Sequence, residues 1–295
     1  IDRYTINGSR TPVLVGVRQV NPNGLPSSTW VNVHLQYTHG EGMVLAPANQ
    51  QSANGDPVFA VGDVPPTSLP QWPAITQPDV YFGANQSGYV VANTKQPEFN
   101  GLGSGKSAQG IHYSSTGGVQ LSSPLARIAF AIREGDLNLL ISNQITPKSR
   151  IMFVRDVQQM ASKAAPFLSF DSDPYPVLVK GHIDWVIDGY TTTDQYPYSQ
   201  NAGSAIVPPG SGLPSSYNYV RNSVKVVIDA YSGKMTFYAV DNKDPILRTY
   251  EAAFPHMFVP AKDMPVALQA HLRYPEDIFS CLLYTSDAAD DLTRV

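Results

Sequence analysis

The chain has 295 residues, of which 42% are hydrophobic, enough for one large domain or two with a buried core. Its formal net charge is −4, only 15% of residues are charged, and lysine and arginine form no basic run, so we expect no nucleic-acid partner. The 25 prolines and 22 glycines cluster between short apolar runs. This pattern favours a loop-rich α+β fold over a helical bundle.

Cysteine content and the start of the chain limit the possible disulfides and the class of protein further. Cys281 is the single cysteine, so the sequence permits no intrachain disulfide and leaves the redox compartment open. The chain begins at Ile1 without a charged and apolar leader, and we expect it to start inside a longer protein. The sequence as given has no run of about 18 apolar residues, so we expect no part of it to span a membrane.

The first hundred residues predict short strands. Residues 11–20 are rich in valine and precede the turn-forming sequence Asn-Pro-Asn-Gly, so a strand is expected there. Residues 29–37 fit a short helix with one apolar face, but they also alternate between apolar and polar, and a strand stays open. Further strands are expected at 43–46, 58–61, 79–82 and 89–94.

A glycine-rich loop at 100–118 separates these strands from predicted helices, and it is the candidate boundary within the domain. Ser123 and Pro124 form a helix start. The apolar stripe of that helix, expected to be buried, comprises Leu125, Ile128, Ala129 and Ile132. Further helices are expected at 136–142, 149–165, 245–253 and 265–273.

Two hairpins between 177 and 240 hold the strongest strand signals. One pairs residues 177–180 with 182–190 around Lys180-Gly181, and the other pairs 224–229 with 234–240 around Ser232-Gly233. Each arm is β-branched or aromatic, and each turn has a glycine that can adopt positive φ. We therefore expect a mixed or antiparallel sheet with hairpins and several packed helices.

The strand after Gly181 carries polar side chains on one face. Alternation places His182, Asp184 and Asp188 together, opposite Ile183 and Trp185. Two carboxylates and an imidazole could bind a hard cation or serve acid–base chemistry. The other interpretation is a solvated face of a half-buried sheet.

Tyrosines flank the loop 200–216 and suggest a ligand surface. They are Tyr190, Tyr196, Tyr198, Tyr217 and Tyr219. Aromatic rings with hydroxyl tips could line a glycan or lipid-headgroup site. The alternative is that they pin the loop to the sheet.

Three other motifs are weaker. The sequence NGLGSGKS at 100–107 resembles a phosphate loop, but Asn100 stands where that motif needs glycine. Asp171 and Asp173 in DSDPYP are better explained by a turn than by a calcium loop. His34, His39 and Glu41 are a candidate metal cluster, although Gly40 and Gly42 beside them favour a turn.

Several long phrases together resemble one protein family. They are TWVNVHLQYTHGEGMVLAPAN, VYFGANQSGYVVANT, DSDPYPVL, IDGYTTTDQYPYS, NYVRNSVKVVIDAYSGKMTFY and HLRYPEDIF. The chain from 2 to 279 is similar to an uncharacterised family of large bacterial multi-pass membrane proteins, sometimes described as transporters. The family has no established catalytic residue or cofactor, so the resemblance predicts none here.

The resemblance implies that residues 1–279 form an extramembrane domain of a cell-membrane protein, lying outside the cytoplasm, with transport or an envelope role. Its partners would be transmembrane helices outside this sequence and, in a homo-oligomer, further copies of the chain. The alternative is an envelope enzyme or a glycan-binding module. Residues 280–295 depart from the family pattern and resemble translated sequencing-adapter sequence, so we expect this tail not to pack on the domain.

Overall fold

The computed structural model describes residues 1–25, 27–100, 110–202, 207 and 209–291, with side chains through 283. These residues form sixteen strands and six α-helices, which confirms the predicted α+β class. Residues 101–109 of the glycine-rich loop, and with them most of the phosphate-loop motif at 100–107, lie outside the described residues.

The strands are β1 (Asp2–Ile6), β2 (Ser9–Val17), β3 (Gly40–Glu41), β4 (Met43–Pro47), β5 (Val61–Gly62), β6 (Thr67–Ser68), β7 (Asp79–Val80), β8 (Val90–Ala92), β9 (Val119–Gln120), β10 (Arg150–Met152), β11 (Ser169–Phe170), β12 (Tyr175–Val179), β13 (His182–Thr193), β14 (Tyr219–Asp229), β15 (Met235–Ala239) and β16 (Phe258–Pro260). The α-helices are α1 (Pro124–Glu134), α2 (Asn138–Ile141), α3 (Val157–Ala164), α4 (Pro245–Ala253), α5 (Val266–Gln269) and α6 (Glu276–Asp291). Residues 29–37, left open between helix and strand, contain a π-helical turn at Asn32–Gln36.

The chain divides into two compact units. The first comprises Ile1–Val157, Pro176–Asp184 and Asp229–Lys234. It contains an antiparallel sheet in the order β1-β2-β4-β5-β6, a small sheet β8-β10-β9, and the ladder of β3 with β7. Its turn at Lys180 and Gly181 has positive φ at both residues, as the first predicted hairpin requires.

An apolar cluster fills the interior beside α1, α2 and the small sheet of the first unit. Its buried members are Leu35, Tyr89, Val91, Leu121, Ala131, Leu139, Ile145 and Ile151. Ser123 caps α1 by accepting a hydrogen bond from the Ala126 backbone N–H at 3.2 Å, and Gly135 ends the helix in the left-handed conformation. The predicted start of this helix is therefore confirmed.

The second unit comprises Gln158–Tyr175, Trp185–Ile228 and Met235–Val295. Its sheet runs in the order β11-β13-β14-β15-β16, and β16 pairs with β15 in parallel. Antiparallel pairing of Val224 with Ala239 confirms the second predicted hairpin. Helix α4 has the predicted bounds because Asp244 caps it and Pro245 occupies its first position.

Two predictions about helices are wrong. Residues 149–165 are not one helix, because Ile151 lies in β10 between Val91 of β8 and Val119 of β9, and the helix begins only at Val157. Tertiary pairing outweighs the helical spacing there. The predicted buried stripe of α1 is also wrong, since Leu125 and Ile132 are each 77% exposed.

The prediction that the tail does not pack is wrong at Cys281. Helix α6 continues past Phe279, and the Cys281 side chain is buried with Tyr190, Leu213 and Tyr217. Whether the tail derives from adapter sequence stays a prediction. In the described ranges, no helix is both long and apolar enough to cross a bilayer.

Candidate functional site

A cavity of about 470 Å³ opens in the first unit, within the usual range of small-molecule sites. Among the polar side chains that line it are four from two segments: Arg18 and Gln19, which follow β2, and His39 and Glu41, which lie just before β3 and in it. Its other walls include Val20, Leu25, Tyr37, Val64 and Phe99. The cavity thus combines an apolar surface with a few convergent polar groups.

Gly40 brings the two polar segments together. An ideal Cβ at this position would lie only 1.9 Å from the backbone oxygen of Arg18, so no side chain fits. The Arg18 N–H donates to Gly42 O at 3.0 Å, and Gly42 has a φ of +71°. The two glycines, interpreted from sequence as a simple turn, therefore hold His39 and Glu41 against the end of β2.

All four polar side chains leave a buried atom unpartnered. These atoms are Arg18 Nη1, Gln19 Oε1, His39 Nε2 and Glu41 Oε2, which find no hydrogen-bond partner within the described part of the chain. His39 is 5% exposed and Glu41 is 8% exposed. Leaving such a group unpaired costs about 1–3 kcal/mol, and native proteins rarely gather several at one place without a function.

The tautomer of His39 follows from its neighbour. Its Nδ1 lies 3.0 Å from Gly40 O, and because a carbonyl oxygen only accepts, Nδ1 carries the proton. The Nε2 atom of the neutral ring is then a hydrogen-bond acceptor. Asp79 Oδ1 lies 4.0 Å from Nδ1.

The carboxyl groups around His39 resist ionisation. Burial, reinforced by the charge of Asp79, raises the pKa of Glu41, whereas His39 and Arg18 oppose this rise. Burial likewise raises the pKa of Asp79, and His39 again opposes the shift. Both acids therefore hold protons more tightly than exposed carboxyls do, as acid–base and binding sites often require.

A buried framework positions the segment that carries His39. Arg155 donates from Nη2 to Thr38 O at 2.6 Å and from Nε to Tyr81 O at 2.9 Å. Burial lowers the pKa of Arg155 to about 10, which leaves it charged at neutral pH. Glu98 accepts hydrogen bonds from the hydroxyls of Thr38 and Tyr81 at 2.5 and 2.7 Å. Sequence reasoning missed Arg18, Gln19, Glu98 and Arg155, because no local motif marks any of them.

The candidate metal cluster is only partly assembled. His34 Nδ1 donates to Tyr89 O at 2.7 Å, and the His34 ring stacks on the Tyr89 ring with centroids 4.1 Å apart, so His34 does not join His39 and Glu41. Since the oxygen of Tyr89 is a carbonyl, His34 Nδ1 is the donor. Across the ranges that the structure describes, no three His, Cys, Asp or Glu side chains are arranged to bind one metal ion.

The predicted face of β13 is distributed between the units. In the first unit, His182 Nδ1 lies 3.6 Å from Asp229 Oδ2, and burial together with the Asp229 charge raises the pKa of Asp184 to about 7. In the second unit, Asp188 is buried and its carboxylate contacts Lys225. Whether this face binds a ligand stays a prediction.

The five tyrosines also separate. Tyr190 and Tyr217 are buried, Tyr196 stacks on Tyr219 with ring centroids 5.5 Å apart, and Tyr198 is fully exposed. Tyr217 and Tyr219 line a second cavity of about 270 Å³. The Asp171–Asp173 motif is a turn, as expected, since the Asp173 N–H donates to Asp171 Oδ1 at 3.0 Å.

These features define an α+β protein region with a cavity that combines an apolar surface with a few polar side chains. The chain belongs to the uncharacterised protein family UPF0182, whose profile matches residues 1–284, past the expected end at 279. A UPF0182 protein of Pelotomaculum thermopropionicum is 40% identical over 281 residues, 95% of this chain and 29% of the relative. A UPF0182 protein of Methanospirillum hungatei is 41% identical over 282 residues, 95% of this chain and 31% of the relative.

The chain thus spans less than a third of the length of these relatives. A third UPF0182 protein, from Frankia alni, is 42% identical over 299 aligned positions, 95% of this chain and 29% of its own length. No solved structure shows a significant match to the chain.

Proposed function

We propose that this chain is a ligand-binding, extramembrane region of a longer membrane protein, and that the cavity beside Gly40 receives the ligand. The observation that carries the binding role is that four side chains lining it each have a buried polar atom without a hydrogen-bond partner in the described part of the chain. The resemblance to multi-pass proteins supports the extramembrane role. A transport or envelope protein could use such a cavity to recognise a solute outside the cytoplasm.

The donors and acceptors on the wall indicate the ligand class. Glu41 Oε2, Gln19 Oε1 and the Nε2 atom of neutral His39 accept hydrogen bonds, whereas Arg18 Nη1 donates. The matching ligand carries several donors and at least one acceptor. The charges of Arg18 and Glu41 offset each other, so the ligand needs no net charge.

The apolar wall narrows the class further. Tyr37 and Phe99 contact each other with ring centroids 5.0 Å apart and both line the cavity. Aromatic faces beside polar side chains suit a ring with C–H groups on one side and hydroxyls on its edge. We therefore propose a small neutral polyhydroxylated compound, such as a monosaccharide or cyclic polyol.

Isothermal titration of the purified chain tests this assignment. The probes are neutral monosaccharides and inositol, with acetate and methylammonium as charged comparisons. We expect binding of a neutral probe, and Arg18→Gln should weaken it at least about tenfold, because a charged hydrogen bond contributes roughly 1.5–3 kcal/mol. Arg10→Gln, at an exposed position of β2, should leave affinity unchanged.

Two outcomes of this titration would contradict the proposal. If acetate or methylammonium binds and no neutral probe does, the ligand class is wrong and the cavity remains a binding site. If no probe binds and Arg18→Gln leaves the melting temperature unchanged, the binding function fails.

A second candidate function uses the smaller cavity at Tyr217 and Tyr219 for a glycan. The stacked pair of Tyr196 and Tyr219 at 5.5 Å favours it, because it offers an aromatic platform. Loss of sugar binding in Tyr219→Ala, with full binding in Arg18→Gln, would assign the ligand to this cavity instead.

A further inference from the structure

A buried lysine and a buried aspartate contact each other in the second unit. Lys225 on β14 is 5% exposed, Asp188 on β13 is 3% exposed, and Lys225 Nζ donates to Asp188 Oδ1. The cavity assigned above uses neither residue. We propose that these two side chains join in an intramolecular amide bond, which links β13 to β14 covalently.

The hydrogen-bonding groups around the pair fit an amide better than an ion pair. A lysine ammonium has three N–H donors, but Nζ has two acceptors in the described part of the chain, Asp188 Oδ1 and Arg273 O at 3.2 Å. One ammonium proton is left without an acceptor in a buried position. An amide has one N–H, and Arg273 O already lies where it can accept from that group.

Burial favours the neutral form of the Asp188 carboxyl group. Desolvation is the largest cause that raises the pKa of Asp188, and the nearby Asp171 carboxylate raises it further, while Lys225 and Asn222 oppose the rise. Transfer of one proton from Nζ to Oδ1, along the existing hydrogen bond, gives an amine and a carboxylic acid. Removing two buried charges in this way avoids a desolvation cost of several kcal/mol per ion.

The reaction balances without an added reactant. The Nζ lone pair attacks the Asp188 carboxyl carbon and forms the C–N bond. The C–O bond to the hydroxyl then breaks, and the hydroxyl leaves as water with one proton from the former amine. Nothing is oxidised or reduced, and the chain loses the mass of one water.

Mass spectrometry of the denatured, full chain tests the bond directly. We expect an intact mass lower than the sequence mass by one water, and a proteolytic fragment in which the Lys225 peptide is joined to the Asp188 peptide. A chain at its full sequence mass would overturn the proposal and leave the pair as a buried ion pair. Because the unmodified chain decides this point, no variant has to fold for the test to succeed.

A second reaction that releases one water has to be distinguished from the cross-link. Asp188 precedes Gly189, and an Asp-Gly sequence can cyclise to a succinimide, which also releases one water. Lys225→Arg keeps the cation but removes the amine, so it should restore the full sequence mass. If the lower mass persists in Lys225→Arg, the succinimide explains it and the cross-link is wrong.

Asp188→Asn supplies the matching conservative variant. Its side-chain amide can react with Lys225 by releasing ammonia in place of water, and the cross-linked product then has the same mass as the cross-linked unmodified chain. Asp188→Ala cannot react and should appear at its own full mass. A cross-linked peptide in the asparagine variant, absent from the alanine variant, would confirm the pair.

Discussion

Glu41 lies directly opposite Asp79 in the ladder of β3 and β7, and burial raises the pKa of both carboxyl groups. His39, the residue two before Glu41, is within 4.0 Å of Asp79. Glu41, which lines the cavity, is therefore paired across the ladder with a second acid, and the fold keeps both carboxyl groups partly desolvated. Such an arrangement places binding groups at a cost in stability.

Replacing Glu41 by glutamine should stabilise the fold at high pH while it removes ligand binding. Its folded pKa is raised, so the unmodified chain loses stability as pH rises from the unfolded pKa through the folded one. We expect Glu41→Gln to raise the melting temperature at about pH 8 by roughly 2–4 °C, the change that ~1 kcal/mol makes in a large domain. The gain should shrink at about pH 4, where the unmodified Glu41 is protonated in both states. Thermal melts at both pH values measure this, and Glu251→Gln on α4 is the control.

Asp184 should make stability depend on pH through the neutral range. Its folded pKa of about 7 means that the folded chain keeps a proton that the unfolded chain loses near pH 4. Its contribution is therefore fully present below about pH 4 and lost as pH rises through 7, at up to about 1.4 kcal/mol for each pH unit. Asp184→Asn should flatten the stability curve between these values, as followed by urea unfolding.

Exposed Asp194 provides the control, since Asp194→Asn should keep the pH dependence of the unmodified chain. Equal curves for Asp184→Asn and the unmodified chain would contradict the prediction. Calcium, magnesium and zinc added to the same samples test the predicted metal role of the β13 face. If none of them shifts the melting temperature, that role fails.

Arg155 should matter for stability although it does not line the cavity beside Gly40. Its guanidinium donates to two backbone oxygens, those of Thr38 and Tyr81, and a lysine ammonium lacks the planar fork that serves both. We expect Arg155→Lys to lower the free energy of unfolding by about 1–3 kcal/mol, the cost of an unpaired buried carbonyl. Urea denaturation measures it, and Arg10→Lys should change stability by less than about 0.5 kcal/mol.

The proposed extramembrane role predicts transmembrane segments elsewhere in the complete gene. A complete reading frame around this sequence should encode several stretches of about 20 apolar residues before Ile1, each long enough to cross a bilayer. Sequencing the gene from the same source checks this. A complete frame without such stretches would contradict the membrane assignment.

The sequence predicts the elements whose signals are local. Both hairpins follow from β-branched arms and a turn glycine, and α1 and α4 follow from a capping residue followed by proline. The prediction of one helix at 149–165 is wrong because Ile151 pairs with two strands that lie far away in the chain. The prediction of which α1 face is buried is wrong because residue spacing identifies an apolar stripe but does not show which side of the helix packs against the core.

The candidate site was less accessible to sequence reasoning. His39 and Glu41 could be singled out by residue type, but their partners Arg18 and Gln19 lie about twenty positions earlier and carry no motif. The Asp188–Lys225 pair is likewise 37 positions apart. Residues so far apart in sequence become neighbours only when their backbone segments approach each other. That approach depends on tertiary packing.

The close approach at Gly40 also makes natural variation informative. With the Arg18 oxygen 1.9 Å from an ideal Cβ, any other residue at position 40 would push the two segments apart. A related sequence with alanine or serine there cannot build the same cavity, whatever residues it has at 18, 19, 39 and 41. The residue at position 40 therefore distinguishes relatives that can form this cavity from relatives that cannot.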